Sequence, residues 1–306
     1  MRLRSAVLLS LLLTSTGCAT ARVQAGAPAQ LSPPAAAIIP VPFHPQDDHQ
    51  CGPAALAMTL GWSGENVVPT DLADEVYTAG RKGSLQPDLV TASRRHDRIA
   101  YVIDGRDELL AELAAGNPVI VLQNLGLSWM PRWHYAVVLG HDAARGTFVL
   151  HSGREANRVV GESTFAKTWQ RAGDWGLLTL PPERIPATAD EKRWLAAVVG
   201  VEQAGRAETA AIAYRAAVAR WPESLGARIG LANAKHAAGD LDGAEQSLRA
   251  AIVAHPKAAV AWNNLAHLLG ERGRKTAALA AARRAVEIGG PDLAVYEQTL
   301  AELESP

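Results

Sequence analysis

The sequence predicts an α+β domain followed by an all-α array of helical hairpins. Three observations carry this reading. A helical stretch precedes three β-rich apolar runs, a Pro-rich joint follows near residue 182, and beyond it small residues recur every 34 positions. The 306 residues suffice for two cores. A formal charge of −1 gives no electrostatic reason to expect a nucleic-acid partner. The 48% hydrophobic content is that of an ordinary globular chain. After residue 20 no apolar run is long enough to span a bilayer.

The N-terminus reads as an export signal. Arg2 and Arg4 precede the short apolar run Ala6 to Leu13, and Thr14-Ser15-Thr16-Gly17 leads to Cys18. The Gly-Cys ending resembles the bacterial lipoprotein signal. That resemblance implies a signal over 1–18, acylation of Cys18 and a lipid anchor to a membrane. Ala19, where the Gram-negative sorting pattern places Asp for inner-membrane retention, points to the periplasmic face of the outer membrane. An ordinary secretory signal with an incidental cysteine is the alternative. Residues 19–39, rich in Ala, Pro and Gln, read as a flexible tether.

From 40 to 182 the pattern is mixed. Pro53 to Leu60 reads as a helix, with Pro53 tolerated in its first turn. Leu109 to Ala115 reads as another and ends at the stop signal Gly116-Asn117-Pro118. The runs 119–125, 134–142 and 146–152 read as consecutive antiparallel strands. Residues 183–190 form a Pro-containing linker.

Over 191–306 the chain is Ala-rich and periodic. Gly205, Gly239 and Gly273 are 34 apart, as are Ala210, Ala244 and Ala278, and Ala217, Ala251 and Ala285. Trp194 and Trp262 lie two periods apart with Arg228 between them, and Pro222 and Pro256 close two units. Glycine lets each hairpin reverse, and alanine lets helices pack closely. The period resembles the tetratricopeptide repeat, in three units. Such an array presents a concave face for a protein or peptide partner.

Cys51 sits where a polar loop turns into the first helix. Four readings are open to it: packed small side chain, disulfide partner, metal ligand or nucleophile. With Cys18 acylated it has no disulfide partner, and a thiolate metal site wants more than one cysteine. A helix N-terminus favours thiolate, so a nucleophile is well placed there. It would need an imidazole and an oxyanion donor. His134 opens an apolar strand, and Gln46 lies five residues before Cys51.

The stretch "PFHPQDDHQCGPAALAMTL" with the later "HYAVVLGHD" resembles the bacteriocin-processing, double-glycine-leader type of cysteine peptidase, a branch of the papain-like fold, over 40–182. The resemblance implies Cys51 as nucleophile, His134 as general base and acid, and Gln46 with the Cys51 backbone N–H as oxyanion donors. His151 stands where the family has the acidic residue that orients the imidazole. Asp142 is eight residues along the histidine strand, about 26 Å away at extended rise. The expectation is therefore an exported cysteine peptidase that uses no cofactor or metal and cleaves a peptide or protein. The rivals are an inactive interaction protein, which His151 favours, and an amidase or transglutaminase-like enzyme acting on cell-wall peptides.

Overall fold

The structure is a computed structural model that describes residues 38–46, 50–78, 80 and 83–305. The signal, Cys18 and tether residues 19–37 lie outside the described residues. Residues 35–306 form one compact unit.

Three helices lead the chain: α1 (Cys51–Trp62), α2 (Pro69–Val76) and α3 (Gln86–Arg95). Then come β1 (Ile99–Asp104), α4 (Arg106–Ala114), β2 (Val119–Asn124), β3 (Trp133–Asp142), β4 (Thr147–Ser152), β5 (Glu155–Gly161), α5 (Glu162–Gln170) and β6 (Trp175–Leu180). The three expected strands are β2, β3 and β4, paired antiparallel in sequence order. The sheet has six strands, in the order β1-β6-β2-β3-β4-β5. β6 is thus inserted between β1 and β2.

The period-2 alternation of a pleated strand divides the core in two. On one face Ala100, Ile120, Tyr135, Val137, Leu139 and Val149 pack with α1. On the other, Tyr101, Ile103, Val121, Ala136, Val138, Phe148 and Leu150 pack with Leu109 of α4 and with Phe165 and Trp169 of α5. Helix α1 is buried continuously from Gly52 to Leu60, so its Ala-rich, all-apolar composition follows from its place against the sheet.

The linker is an ordered joint. Buried Glu112 accepts from the Thr188 N–H at 2.7 Å, the Thr188 hydroxyl at 2.6 Å and Asn117 Nδ2 at 2.6 Å. Arg184 donates to Asn117 Oδ1 at 2.6 Å and lies over the Trp62 ring.

Beyond the joint lie three helical hairpins, α6 (Glu191–Gln203) with α7 (Ala207–Arg220), α8 (Leu225–Ala237) with α9 (Leu241–Ala254), and α10 (Ala259–Glu271) with α11 (Lys275–Ile288). Helix α12 (Leu293–Glu304) follows. Gly205, Gly239 and Gly273 have φ of 76°, 83° and 71°, the left-handed turn that glycine adopts freely. All six periodic alanines are fully buried. Trp262 Nε1 donates to the Pro256 carbonyl at 3.2 Å, and Arg228 Nη2 donates to the Pro222 carbonyl at 2.8 Å. Arginine thus makes tryptophan's bond one unit earlier. In the first unit Trp194 is instead buried in the core shared with β1, together with Val198 and Val201.

Candidate active site

Cys51 is the first residue of α1. The helix has no side-chain cap, and Pro53 contributes no N–H, so the free donors at this end are those of Cys51 and Gly52. Both point at the sulfur, as does the backbone N–H of Tyr135. These donors pull the thiol pKa down, but burial outweighs them and pushes it above the ordinary range. Gly52 has to be glycine: a Cβ there would come within 2.2 Å of Ser84 Oγ. The Ser84 segment is held in turn by Tyr135, whose hydroxyl donates to the Ser84 carbonyl at 3.3 Å.

Gln46 is buried, and its side chain bridges the end of β3 and the turn after β4. Its Nε2 donates to the Tyr135 carbonyl at 3.2 Å, and its Oε1 accepts from the Gly153 N–H at 2.9 Å. Its own N–H donates to the Gly153 carbonyl at 2.9 Å. The side-chain amide therefore takes the place of a strand peptide where β3 and β4 part. Tyr135 serves both groups: its N–H faces the Cys51 sulfur and its carbonyl holds Gln46.

His134 precedes Tyr135 on β3 and points to the opposite face of the pleat. Its Nε2 lies 2.9 Å from Ser152 Oγ. Among the described residues, Nδ1 has no hydrogen-bond partner. Burial, with Arg158 and Arg132 nearby, brings the imidazole pKa down to about 4. Cys51 and Gln46 thus both meet the backbone of Tyr135, the residue that follows His134.

His151 is elsewhere, and the expectation that it stands behind the imidazole is corrected. It has the pleat parity of Val149, which packs on the α1 face, whereas Ser152 shares the parity of Phe148 and Leu150 on the His134 face. Both ring nitrogens of His151 are engaged: Nδ1 accepts from the Asn157 N–H at 3.1 Å, and Nε2 donates to the Val41 carbonyl at 3.0 Å. Asn157 has φ of 53° at a β-bulge between β4 and β5. His151 fills that bulge and ties down the segment leading to Gln46. Ser152 was missed because parity at the end of β4 depends on pairing, and the β3–β4 register shifts near Leu139. Asp142 caps the β3–β4 turn through the Ala144 and Arg145 N–H groups.

Residues 38–176 match the family described as "Peptidase_C39 like family", and residues 202–261 match "Tetratricopeptide repeat". No protein of curated function matches the chain. Among solved structures, a putative C39-like peptidase from Bacillus anthracis is 19% identical with a TM-score of 0.42, over 47% of this chain and 97% of that one. The type III secretion chaperone SycD of Yersinia enterocolitica, in complex with a peptide of the translocator YopD, is 18% identical with a TM-score of 0.35. That match spans 37% of this chain and 91% of the chaperone. The chain thus carries a region similar to the C39-like peptidase family, over 38–176, and a region similar to tetratricopeptide repeats, over 202–261.

Proposed function

We propose that the chain is a cysteine peptidase of an exported, lipid-anchored kind, with Cys51 and His134 as its reacting pair. The observation that carries this reading is the bond from His134 Nε2 to Ser152 Oγ, which leaves Nδ1 to take the thiol proton. Because both groups rest neutral, the proton moves as sulfur attacks the amide carbonyl. The oxyanion then meets the Cys51 N–H and the second hydrogen of Gln46 Nε2. Imidazolium returns its proton to the leaving amine. Water, deprotonated by the same imidazole, releases the acyl group from sulfur.

The repeats would present the substrate or a partner. Their groove, about 580 Å³, is lined by Asn233, Asn264 and Glu271 together with Leu248, Leu268 and Leu303, so it offers a peptide both hydrogen-bonding and apolar contacts.

Hydrolysis of a labelled casein and of cell-wall peptides by the purified protein tests the reading. Cys51→Ala should abolish turnover, His134→Ala should lower it at least about 1,000-fold, and Gln46→Ala about 100-fold. Turnover that survives Cys51→Ala overturns the proposal. The second reading is a peptidase-like scaffold without turnover. It is favoured by Ser152, which brings no carboxylate to stabilise the imidazolium. Failure of an acyl-transfer probe to label Cys51 in the intact protein, with no hydrolysis, would select it.

A further inference from the structure

The connection between β2 and β3, residues 125–132, leads into Trp133 and His134 at the start of β3. Five large apolar side chains stand out of it into solvent: Leu125 is 48% exposed, Leu127 49%, Trp129 78%, Met130 56% and Trp133 57%. They are nevertheless held on a well-bonded frame. Leu127 and Met130 exchange both backbone bonds, at 3.2 and 3.1 Å, around the two-residue tip Ser128-Trp129. Asn124 Oδ1 accepts from the Gly126 and Arg132 N–H groups at 2.9 and 3.0 Å. Arg171 Nη1 donates to the Gly126 carbonyl at 2.8 Å. A Cβ on Gly126 would come within 2.3 Å of the Met130 carbonyl, so the tip closes tightly only around glycine.

An ordered frame that holds apolar side chains in water loses free energy unless something covers them. The charge pattern points to what does. From Leu113 to His141 the chain has no carboxylate, and its only permanent charge is Arg132. Arg132 and Arg171 are exposed at the base of the hairpin. A narrow tip of Trp, Met and Leu thus stands above two exposed arginines, Arg132 and Arg171. It matches the layering of a lipid interface, with apolar chains below and anionic phosphates at the surface.

We propose that the β2–β3 hairpin is a lipid-surface wedge. Leu127, Trp129 and Met130 enter the interface, while Arg132 and Arg171 stay among anionic headgroups. This contact needs neither an acylated Cys18 nor turnover by Cys51. It would hold the His134 site against the membrane surface.

The test uses residues 35–306, the compact unit, which lacks both Cys18 and the apolar run at Ala6 to Leu13. Binding is measured by sedimentation with vesicles of phosphatidylcholine, alone or with one part in four phosphatidylglycerol. The protein should bind the anionic vesicles more strongly, and less so at about 0.5 M salt. Trp129→Ala with Met130→Ala should lower that binding at least about tenfold. Both side chains are exposed, so the thermal midpoint should be unchanged. No binding to anionic vesicles overturns the proposal, as does binding indifferent to the double substitution. If the double variant binds vesicles normally but loses casein cleavage, the hairpin is a substrate-docking surface and the lipid reading is wrong.

Discussion

Ser152 holds the imidazole nitrogen that a carboxylate would otherwise help to charge. A hydroxyl can orient His134 but offers little to an imidazolium, so it does not offset the burial, with Arg158 and Arg132 nearby, that brings the imidazole pKa down to about 4. Burial pushes the Cys51 thiol the opposite way. Between pH 5 and 8 the resting pair is thus thiol and neutral imidazole. Alkylation of Cys51 by iodoacetamide should climb with pH through the ordinary thiol range, with no plateau on the acid side. Ser152→Asp should raise the His134 pKa and speed alkylation near pH 6 by at least about tenfold. An unchanged rate would mean that residue 152 does not act on the imidazole. His151→Asp should do the reverse of restoring a triad. It would set a carboxylate against the Val41 carbonyl, leaving the bulge unfilled.

At the scale of elements, the joint between sheet and repeats is a continuation of the core. Trp194, Val198 and Val201 of α6 are buried in one cluster with Ile99, Tyr101 and Ile103 of β1. Asp97 accepts from Thr209 of α7 at 2.6 Å, and Arg193 donates to Glu108 of α4. Trp194→Ala should cost about 3–5 kcal/mol and lower the single unfolding midpoint of the whole protein. A chain ended near residue 186 should expose the apolar face of β1 and bind a hydrophobic dye. If that fragment instead unfolds at the midpoint of the intact protein, the shared cluster adds no stability.

Elements with a strong local signal were legible in the sequence. The apolar runs of β2, β3 and β4 and the 34-residue period were all readable from residues close together in the chain. Cys51, Gln46 and His134 could be put forward for the same reason, since the first two share a loop and the third opens an obvious strand, and their catalytic roles remain our proposal. What could not be read depends on pairing between distant segments. The insertion of β6 beside β2, the bulge at Asn157 and the exchange of His151 for Ser152 behind His134 are of this kind.

For the whole molecule, attachment at Cys18 remains our proposal and is separable from the hairpin. Cys18→Ser should release the exported protein from membranes under salt that already suppresses hairpin binding, as fractionation would register. Retention unchanged under those conditions would count against acylation.

The packing of α6 on β1 also gives the repeat array a direction. A solenoid must cover the apolar side of its first unit and its last, and here the sheet covers the first while α12 closes the other. One end is therefore fixed by a surface that fits a single helix, Trp194 included, whereas at the other a further helix, α12, lies on the repeat surface. Lengthening by duplication is open only towards α12, where each new unit meets a copy of the surface it left. A unit added ahead of α6 would meet β1 with the wrong side chains. Descendants of this chain are thus free to vary in reach, and the repeat packed on β1 is the one they must all keep.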